Sequence, residues 1–446
     1  MRSKAYAVTV VMLLLANIAA IAVPAKALLP EVWIPTDYPT IQEGINAVDG
    51  GGTVHVGAGT YFEHLTISKP LTLEGENRAT TIIDGSGSGN VIEVSSTYGV
   101  TVSGFTVQNG GGNGVFLWDA DNCQLEDLDV KSNGGHGIFT QYSEYVVIMN
   151  VETHANVGQG IALGLYPSYN IIEGVNAYSN SHGITVYDWP TDVTIKDCNV
   201  YLNTYQGIIL GWTTDGVIRN CNAWSNGQEG IKLEASSNSR VEDCISTSNA
   251  HGIGISVFGY NVITRCQASN NLGNGFYLSS AYGCTIEKCL SSSNTVGISF
   301  WGGFWGIWTQ NNVVTENIIS GNGLGIDVFD KYCTDNLIYH NDFIGNTQQA
   351  SDAASNAWDN GYPSGGNFWS DYMGVDVYSG VNQDEPGSDG IGDTPYDVDA
   401  DTMDRYPLME RWNPTPPTPS VPEPPIIILI TAVTVGISLL KRKRRL

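Results

Sequence analysis

Two aspartates 23 residues apart, Asp192 and Asp215, are the first candidates for chemistry in this sequence. Each lies six residues before a cysteine, Cys198 or Cys221, so the two occupy the same place in consecutive copies of a repeat. Carboxylates that face each other in this way either bind a cation or raise the pKa of one member for acid–base work. Arg219, four residues after Asp215, is a candidate basic partner. The alternative is a solvated or paired surface charge.

Aromatic residues recur at another position of the repeat and suggest a sugar-binding surface. They come at the turn after one strand of each unit, and flat rings beside hydroxyl and amide groups suit the faces of sugars. We expect carbohydrate to contact Trp118, Tyr142, Tyr187, Trp189, Trp212, Trp301 and Trp305. A second column repeats at 23 residues: Tyr178, Tyr201 and Trp224. The competing interpretation is that these rings only stack on one another.

An acidic loop near the C-terminus is a candidate calcium site. It contains Asp384, Asp389 and Asp393, and carboxylate and carbonyl oxygens suit Ca²⁺. The spacing departs from that of an EF-hand loop, so a plain acidic turn is the alternative. No other cofactor is indicated.

Three histidines, His136, His182 and His251, each directly precede a repeat glycine. They lie two or more coils apart, about 10 Å at least, so they cannot share one metal ion. Other repeats carry Asn, Gln or Glu at this position, which indicates a general polar turn position. The six Met residues form no Met-rich copper motif.

The candidate residues outside the acidic loop lie in a sequence repeat of about 23 residues. A repeat of this length indicates units that stack on one another. Within one unit, short β-branched runs such as 183–187, 193–196 and 198–201 alternate apolar and polar residues between turn residues. Leu is sparse and no helical period appears, which argues against a leucine-rich repeat. The sequence therefore predicts an all-β, single-stranded, right-handed parallel β-helix. The repeat glycines are Gly114, Gly137, Gly160, Gly183, Gly207, Gly230, Gly252, Gly275, Gly297 and Gly325.

Two internal ladders support this fold. Stacked Asn at a turn tolerates left-handed backbone and can bond its amide to adjacent coils. The predicted Asn ladder is Asn109, Asn133, Asn156, Asn180, Asn203, Asn226, Asn249, Asn270, Asn294 and Asn322. A column of buried thiols is predicted in the core, because disulfides between stacked coils would be strained: Cys198, Cys221, Cys244, Cys266 and Cys289. Cys123, Cys284 and Cys333 fall outside this column.

The termini divide the chain further. A basic start, an apolar run and Ala25-Lys26-Ala27 predict a secretory signal, with a membrane anchor as the alternative. Thr40 and Glu43 have capping-box spacing and predict a short helix to about Val48. The predicted segments are a signal peptide (1–27), a cap with the first strands (28–84), the β-helix repeats (85–347), an aromatic and acidic end-piece (348–412), a Pro-rich linker (413–425) and a transmembrane or sorting tail (426–446).

The charge balance limits the partners. Without the basic residues of the signal and of the extreme C-terminus, 12 basic residues remain against 45 acidic ones, a net charge of −33. Such a surface repels nucleic acid and other anionic polymers unless cations intervene. We therefore expect no nucleic-acid binding.

Several motifs resemble a known family. Asp37–Gln42 through Gly75-Glu76, the late repeat Ile338–Phe343 and the end-piece motif 366–372 look like pectin-lyase-like β-helix proteins with the NosD-type, carbohydrate-binding-and-sugar-hydrolase repeat. The end-piece resembles that of exported NosD-like proteins of archaeal surfaces, and the C-terminal Pro-Glu-Pro, apolar run and basic end resemble a PEP/PEF sorting signal. The family implies a surface-displayed β-helix, and NosD-type proteins are associated with copper delivery.

The expected function is therefore an exported, surface-anchored β-helix that binds glycan or envelope polymer without turnover. The C-terminal segment would hold it at the membrane. One alternative is a polysaccharide lyase or hydrolase that acts at Asp192 and Asp215. Others are a structural adhesin or spacer, or a copper-processing accessory protein of the NosD type.

Overall fold

The computed structural model describes residues 29–303 and 306–412, which wind into a solenoid. It is a right-handed parallel β-helix of about 15 turns with about 23 residues in each coil. Each regular coil contributes one strand to each of three long parallel sheets. The predicted fold class is confirmed.

Sheet 1 is formed by the strands that contain or follow the repeat glycines. Its 13 strands are Leu65–Ile67, Ile92–Tyr98, Val115–Asp121, Ile138–Gln141, Ile161–Gly164, Ile184–Val186, Ile208–Gly211, Glu229–Glu234, His251–Gly259, Asn274–Tyr282, Val296–Trp301, Leu324–Val328 and Gln348–Asp352.

Sheets 2 and 3 complete each coil. The 14 strands of sheet 2 are Glu31–Ile34, Thr53–Val56, Leu71–Gly75, Val100–Ser103, Gln124–Glu126, Val147–Met149, Ile171–Glu173, Thr194–Lys196, Val217–Arg219, Arg240–Glu242, Val262–Thr264, Thr285–Glu287, Val313–Thr315 and Leu337–Tyr339. The 14 strands of sheet 3 are Gly59–Tyr61, Thr81–Asp84, Thr106–Gln108, Asp129–Lys131, Glu152–His154, Asn176–Tyr178, Asn199–Tyr201, Asn222–Trp224, Ile245–Thr247, Gln267–Ser269, Leu290–Ser292, Ile318–Ser320, Asp342–Ile344 and Phe368–Trp369.

Stacking in register explains the residue types. In sheet 1, Ile161, Ile184, Ile208 and Ile231 pair directly with one another from coil to coil, and all four are fully buried. Each β-branched side chain therefore packs on a copy of itself above and below. Burying such a side chain contributes about 1.5–3 kcal/mol, so a continuous apolar column runs along the solenoid.

A buried amide ladder closes the turn between sheets 3 and 1, as predicted. Leu202 and Ser225, directly before two of its members, have positive φ angles of 55° and 54°. The predicted left-handed conformation therefore lies one residue earlier than expected. Asn109 and Asn270 were wrongly included: they occupy that preceding position, with φ of 57° and 55°. The ladder consists of Asn133, Asn156, Asn180, Asn203, Asn226, Asn249, Asn271, Asn294, Asn322 and Asn346.

The five-cysteine column is also confirmed. The backbone N–H of Cys221 donates to Cys244 Sγ at 3.5 Å, and that of Cys266 donates to Cys289 Sγ at 3.4 Å. All eight cysteines lie among the described residues, and each is buried as a free thiol. They fill the core as small apolar side chains.

Both ends of the solenoid are covered. The helix Ile41–Ala47 begins at Thr40, whose side chain accepts from the Glu43 N–H, and it buries Ile41 and Ile45 over the first coils. At the other end, Trp369 stacks on Phe343 and on Tyr396, with ring centroids 4.1 Å apart in each case. Two short antiparallel pairs complete the end-piece: Tyr378–Ser379 with Glu385–Pro386, and Tyr396–Asp397 with Met403–Asp404.

The solenoid is longer than the repeats predicted at 85–347. Sheet pairing begins with Glu31–Ile34 inside the predicted cap and continues to Phe368–Trp369 inside the predicted end-piece. First strands were expected within the segment 28–84, whereas strands after residue 347 were not. The predicted signal peptide, and the predicted linker and tail after residue 412, lie outside the described residues. Within residues 29–303 and 306–412, no helix is long and apolar enough to cross a membrane.

Replacing Asn203 by Ala tests the amide ladder. Its Nδ2 donates to Ala177 O at 3.1 Å and to Asn226 Oδ1 at 3.0 Å, and its Oδ1 accepts from the Asn180 N–H at 3.0 Å. The substitution leaves buried groups unsatisfied, so we expect the free energy of unfolding to fall by about 2–4 kcal/mol in urea titrations followed by circular dichroism.

Asn176→Ala is the matched control, because Asn176 is exposed on the outside of sheet 3, where its Oδ1 accepts from Asn199 Nδ2 at 3.1 Å. There water replaces the lost partner, and the expected loss is below about 1 kcal/mol. Equal losses for the two variants would contradict a stabilising role for burial of the ladder.

Candidate functional site

The outward side of sheet 1 forms a groove. Its floor is a column of paired outward residues: Thr185, Ile209, Lys232, Gly254, Tyr277 and Ser299. Although they point away from the core, Ile209 and Ser299 are only 1% exposed.

One wall of the groove is a polar column formed by the residues directly before the repeat glycines: Gln159, His182, Gln206, Glu229, His251 and Asn274. The other is an aromatic ridge at the following turn: Trp118, Tyr142, Tyr166, Trp189, Trp212 and Phe258.

Three charged side chains of the strand Glu229–Glu234 lie at the centre of the groove. Lys232 Nζ is 3.9 Å from Glu229 Oε1 and 3.6 Å from Glu234 Oε1. Glu229 and Lys232 are largely buried, whereas the Glu234 side chain is 40% exposed. Glu234 is therefore the member of this charged triad that most readily meets a ligand.

Two tyrosine side chains extend toward the triad from opposite directions along the axis of the solenoid. Tyr277 lies across Gly254, and its hydroxyl donates to Glu229 Oε1 at 2.7 Å. Tyr187 lies across Gly211, which is paired with Glu234. A Cβ atom on either glycine would overlap the tyrosine ring. The two glycines thus provide the space in which the rings lie flat along the floor.

The electrostatics around Glu229 hold it in the ionised state. Burial raises the pKa of the Glu229 carboxyl, but the Lys232 charge and hydrogen bonds from Tyr277 and Gln206 outweigh it and hold that pKa below its ordinary value. Burial and the Glu229 charge raise the pKa of Tyr277 well above its usual range. Burial and the charges of Glu234 and Glu229 raise the pKa of Tyr187 in the same way. At neutral pH the tyrosines are hydroxyl donors and Glu229 is a carboxylate.

A pocket opens beside the triad. Its volume is about 380 Å³, and it is lined by Trp212, Lys232, Glu234, Ala235, Ser256, Val257 and Ser279. Further along the floor, the buried hydroxyl of Ser299, which pairs with Tyr277, has no hydrogen-bond partner. Such an unsatisfied group is costly unless a water or a ligand reaches it.

Four of the aromatic residues predicted to contact carbohydrate lie along one edge of the groove, whereas Tyr187 lies on its floor across Gly211. Trp118 and Tyr142 lie 5.1 Å apart by ring centroids, and Trp189 and Trp212 lie 4.9 Å apart. They stack on one another and still keep exposed faces, with Trp189 60% exposed. Trp301 lies further along sheet 1 beside Phe329. Trp305 lies outside the described residues.

The two aspartates predicted as a carboxylate pair lie outside the groove of sheet 1. Asp192 and Asp215 occupy equivalent left-handed turn positions, φ 52° and 58°, in adjacent coils before sheet 2. Asp215 accepts from the Asn238 side chain, which stacks next in the same column. Arg219 lies within sheet 2 between Lys196 and Glu242. The two aspartates are surface turn residues, away from the groove of sheet 1.

The acidic loop uses its carboxylates internally. Asp393 accepts from the Val377 and Tyr378 N–H groups, and Asp389 accepts from the Ile391 N–H and from the Gln383 side chain. In residues 29–303 and 306–412, no group of three His, Cys, Asp or Glu side chains is placed to hold a metal ion. Calcium bound by Asp384, Asp389 and Asp393 stays a prediction.

The histidines behave as turn residues. His136 Nδ1 accepts from the Gln159 N–H at 3.1 Å, and His251 Nδ1 accepts from the Asn274 N–H at the same distance. Burial lowers the pKa of His136 and His182. His136 and His251 thus bridge adjacent coils through their ring nitrogens.

The sequence analysis missed the charged triad. Glu229 was grouped with the polar residues before the repeat glycine, and Lys232 and Glu234 were not singled out. The available signal was the pair of extra glycines, Gly211 and Gly254, in strand positions where neighbouring repeats carry side chains. Glycine inside a strand indicates a close approach by another group.

Family comparisons agree with this architecture. Residues 221–374 match the family model described as periplasmic copper-binding protein (NosD). Residues 90–211 and 165–259 match the model of the right-handed β-helix region. The chain is a right-handed parallel β-helix, and its residues 221–374 are similar to NosD. No curated protein sequence matches it.

Solved structures resemble this chain in fold. The Azotobacter vinelandii mannuronan C-5 epimerase AlgE6 A-module is 18% identical with a TM-score of 0.55, over 71% of this chain and 92% of that one. The catalytic domain of a GH87 α-1,3-glucanase in complex with tetrasaccharides is 11% identical with a TM-score of 0.55. The match covers 78% of this chain and 70% of the glucanase domain. The PL6 family alginate lyase AlyGC is 13% identical with a TM-score of 0.54. The match covers 74% of this chain and 53% of the lyase.

Gly254→Ala tests whether Tyr277 lies across the glycine. The added methyl group displaces the ring and breaks its hydrogen bond to Glu229, so we expect the free energy of unfolding to fall by about 1–3 kcal/mol. In a Tyr277→Ala background the same change meets no ring and should cost much less. An equal cost in both backgrounds, measured by urea unfolding, would contradict the contact.

Glu229→Gln tests the ionised state of Glu229. The pKa of Glu229 is lower in the folded protein than the ordinary glutamate pKa of about 4.3 in the unfolded chain. The ionised carboxylate therefore stabilises the fold at pH values above the unfolded pKa, and this stabilisation is lost as the pH falls through the pKa of the folded state. We therefore expect the Tm of the unchanged protein to fall more between pH 7 and pH 3 than that of the variant. Glu31→Gln, at an exposed site in the cap, is the control and should leave the pH dependence unchanged.

Proposed function

We propose that the protein binds a polysaccharide or another cell-envelope polymer along the groove of sheet 1, on the outside of the cell and without chemical turnover. The observation that carries this proposal is the exposed aromatic ridge beside a floor of hydrogen-bonding groups. Aromatic faces and polar groups side by side suit the two faces of a sugar ring. A long open groove accommodates a polymer better than a small metabolite.

The comparisons support a polysaccharide as the class of ligand. The similar structures include a mannuronan epimerase, an α-1,3-glucanase bound to tetrasaccharides and an alginate lyase. The NosD family is described as periplasmic, which supports export. Retention at the surface by the C-terminal segment is part of the proposal.

The charges of the groove favour binding over turnover. Sugar-cleaving sites with two carboxyl groups keep one of them protonated, with separations of about 5–9.5 Å. Glu229 instead has a lowered pKa. Burial raises the pKa of Asp327, which makes it a candidate acid. However, Asp327 lies four strands from the triad in sheet 1, about 19 Å at the usual strand spacing.

Trp212→Ala tests the proposal. Trp212 contacts Trp189 and Phe258 on the ridge and lines the pocket, so its loss should weaken glycan binding at least tenfold on a glycan array and in affinity electrophoresis. Trp33→Ala is the control, because Trp33 is an exposed tryptophan of the cap that stacks on His55. The control should bind as the unchanged protein does.

The same samples test for turnover. Reducing-sugar and unsaturated-product assays, with and without Ca²⁺, should detect no product. Product that disappears in Asp215→Asn would replace the proposal by a lyase or hydrolase acting at Asp192 and Asp215. Absence of binding to every glycan would favour a structural adhesin or spacer, or a copper-processing accessory protein.

A further inference from the structure

The groove of sheet 1 is poor in positive charge. Within the thirteen described strands of sheet 1, Lys232 is the single Lys or Arg residue, whereas Glu93, Glu229, Glu234 and Asp327 add negative charge. Sheet 2, in contrast, carries several basic residues. Lys196 and Arg240 form ion pairs with glutamates, and Arg219 lies next to Glu242 in the strand register. The chain thus places its strand cations mainly on a different face from the aromatic ridge.

The single cation of the groove is already neutralised. Lys232 lies within 4 Å of both Glu229 and Glu234. A sugar carboxylate at this point would meet two glutamates and one lysine. Two like charges about 4 Å apart repel by about 1 kcal/mol in water and by about 4 kcal/mol near a protein surface. A uronic-acid unit therefore lacks a counter-charge here.

The glutamates differ in what they can offer a ligand. Glu229 is occupied, because Tyr277 and Gln206 donate to its two oxygens and Lys232 lies beside it. Within the described part of the chain, the Glu234 carboxylate has the Lys232 ion pair alone, and it opens into the pocket with Trp212. An ammonium group on the sugar would approach Lys232 as closely as it approaches Glu234. Adjacent sugar hydroxyls fit better, since one can donate to Glu234 and the next can accept from Lys232.

We propose that the groove selects an uncharged, hydroxyl-rich glycan and excludes uronates, with Glu234 and Lys232 contacting adjacent hydroxyls of one sugar unit packed against Trp212. This inference rests on the proposed glycan-binding function and specifies its ligand. Glu229 acts as a positioning residue that holds Lys232 and Tyr277 in place.

The test compares three classes of polymer on the full-length protein. Neutral glucans and mannans, the polyuronates alginate and polygalacturonate, and chitosan oligosaccharides are offered at low and high NaCl concentration. We expect binding to at least one neutral glycan, with an affinity that changes less than twofold with salt, because no net charge is neutralised. Binding to the polyuronates should be at least tenfold weaker.

Glu234→Gln separates a specific contact from general surface effects. It removes the charge-assisted acceptor and should weaken binding of the neutral glycan at least tenfold. Glu242→Gln is the matched control, because Glu242 is a glutamate of sheet 2 that pairs with Arg265 away from the groove. It should leave binding unchanged.

The outcomes distinguish this inference from the function on which it rests. Strongest binding to a polyuronate or to chitosan would overturn the ligand class and leave glycan binding intact. Unchanged affinity of Glu234→Gln for a neutral glycan would overturn the assigned contact. Failure to bind any of the three classes would overturn the proposed function, and this inference with it.

Discussion

Each coil of this protein must satisfy its backbone polar groups through the coils above and below, and this requirement determines the rest of the structure. Within the sheets, the strands supply these bonds to one another. At the turns they are supplied by amide side chains such as Asn180, Asn203 and Asn226, which bridge from one coil to the next inside the protein. Because an unsatisfied buried group is costly, the period of the chain is held close to 23 residues.

The fixed period determines which residues of the sequence become neighbours in the structure. Residues one repeat apart become adjacent at about 4.8 Å, so any type of side chain placed at one position in several repeats becomes a column. The same geometry produces the apolar core, the thiol column, the aromatic ridge and the stacked rings of Tyr178, Tyr201 and Trp224 on sheet 3. A distinctive site arises where a column is interrupted. Gly211 and Gly254 interrupt the outward columns of sheet 1, and Tyr187 and Tyr277 extend across them toward the charged triad.

These relations explain what could be predicted from the sequence. The repeat glycines, the alternating runs and the Thr40 cap are local signals, and they gave the fold, the helix and most of the amide ladder. Choosing between Asn270 and Asn271 required the backbone angles, because both residues are asparagine. Asp192 and Asp215 were correctly placed in adjacent coils, since only the period matters for that. The contact of Tyr277 with Glu229 spans two coils and depends on side-chain direction across Gly254, which spacing alone does not reveal.

The central claim is that ligand lies in the groove of sheet 1 beside the charged triad. Oxidative footprinting of the full-length protein, with and without a saturating bound glycan, tests this most directly, because it reports the solvent exposure of individual rings by mass spectrometry. The account predicts that glycan protects Trp212 and Trp189 from oxidation and leaves Trp33 in the cap as reactive as before. Protection confined to the end-piece, at Tyr378 or Trp412, with Trp212 unchanged, would contradict it.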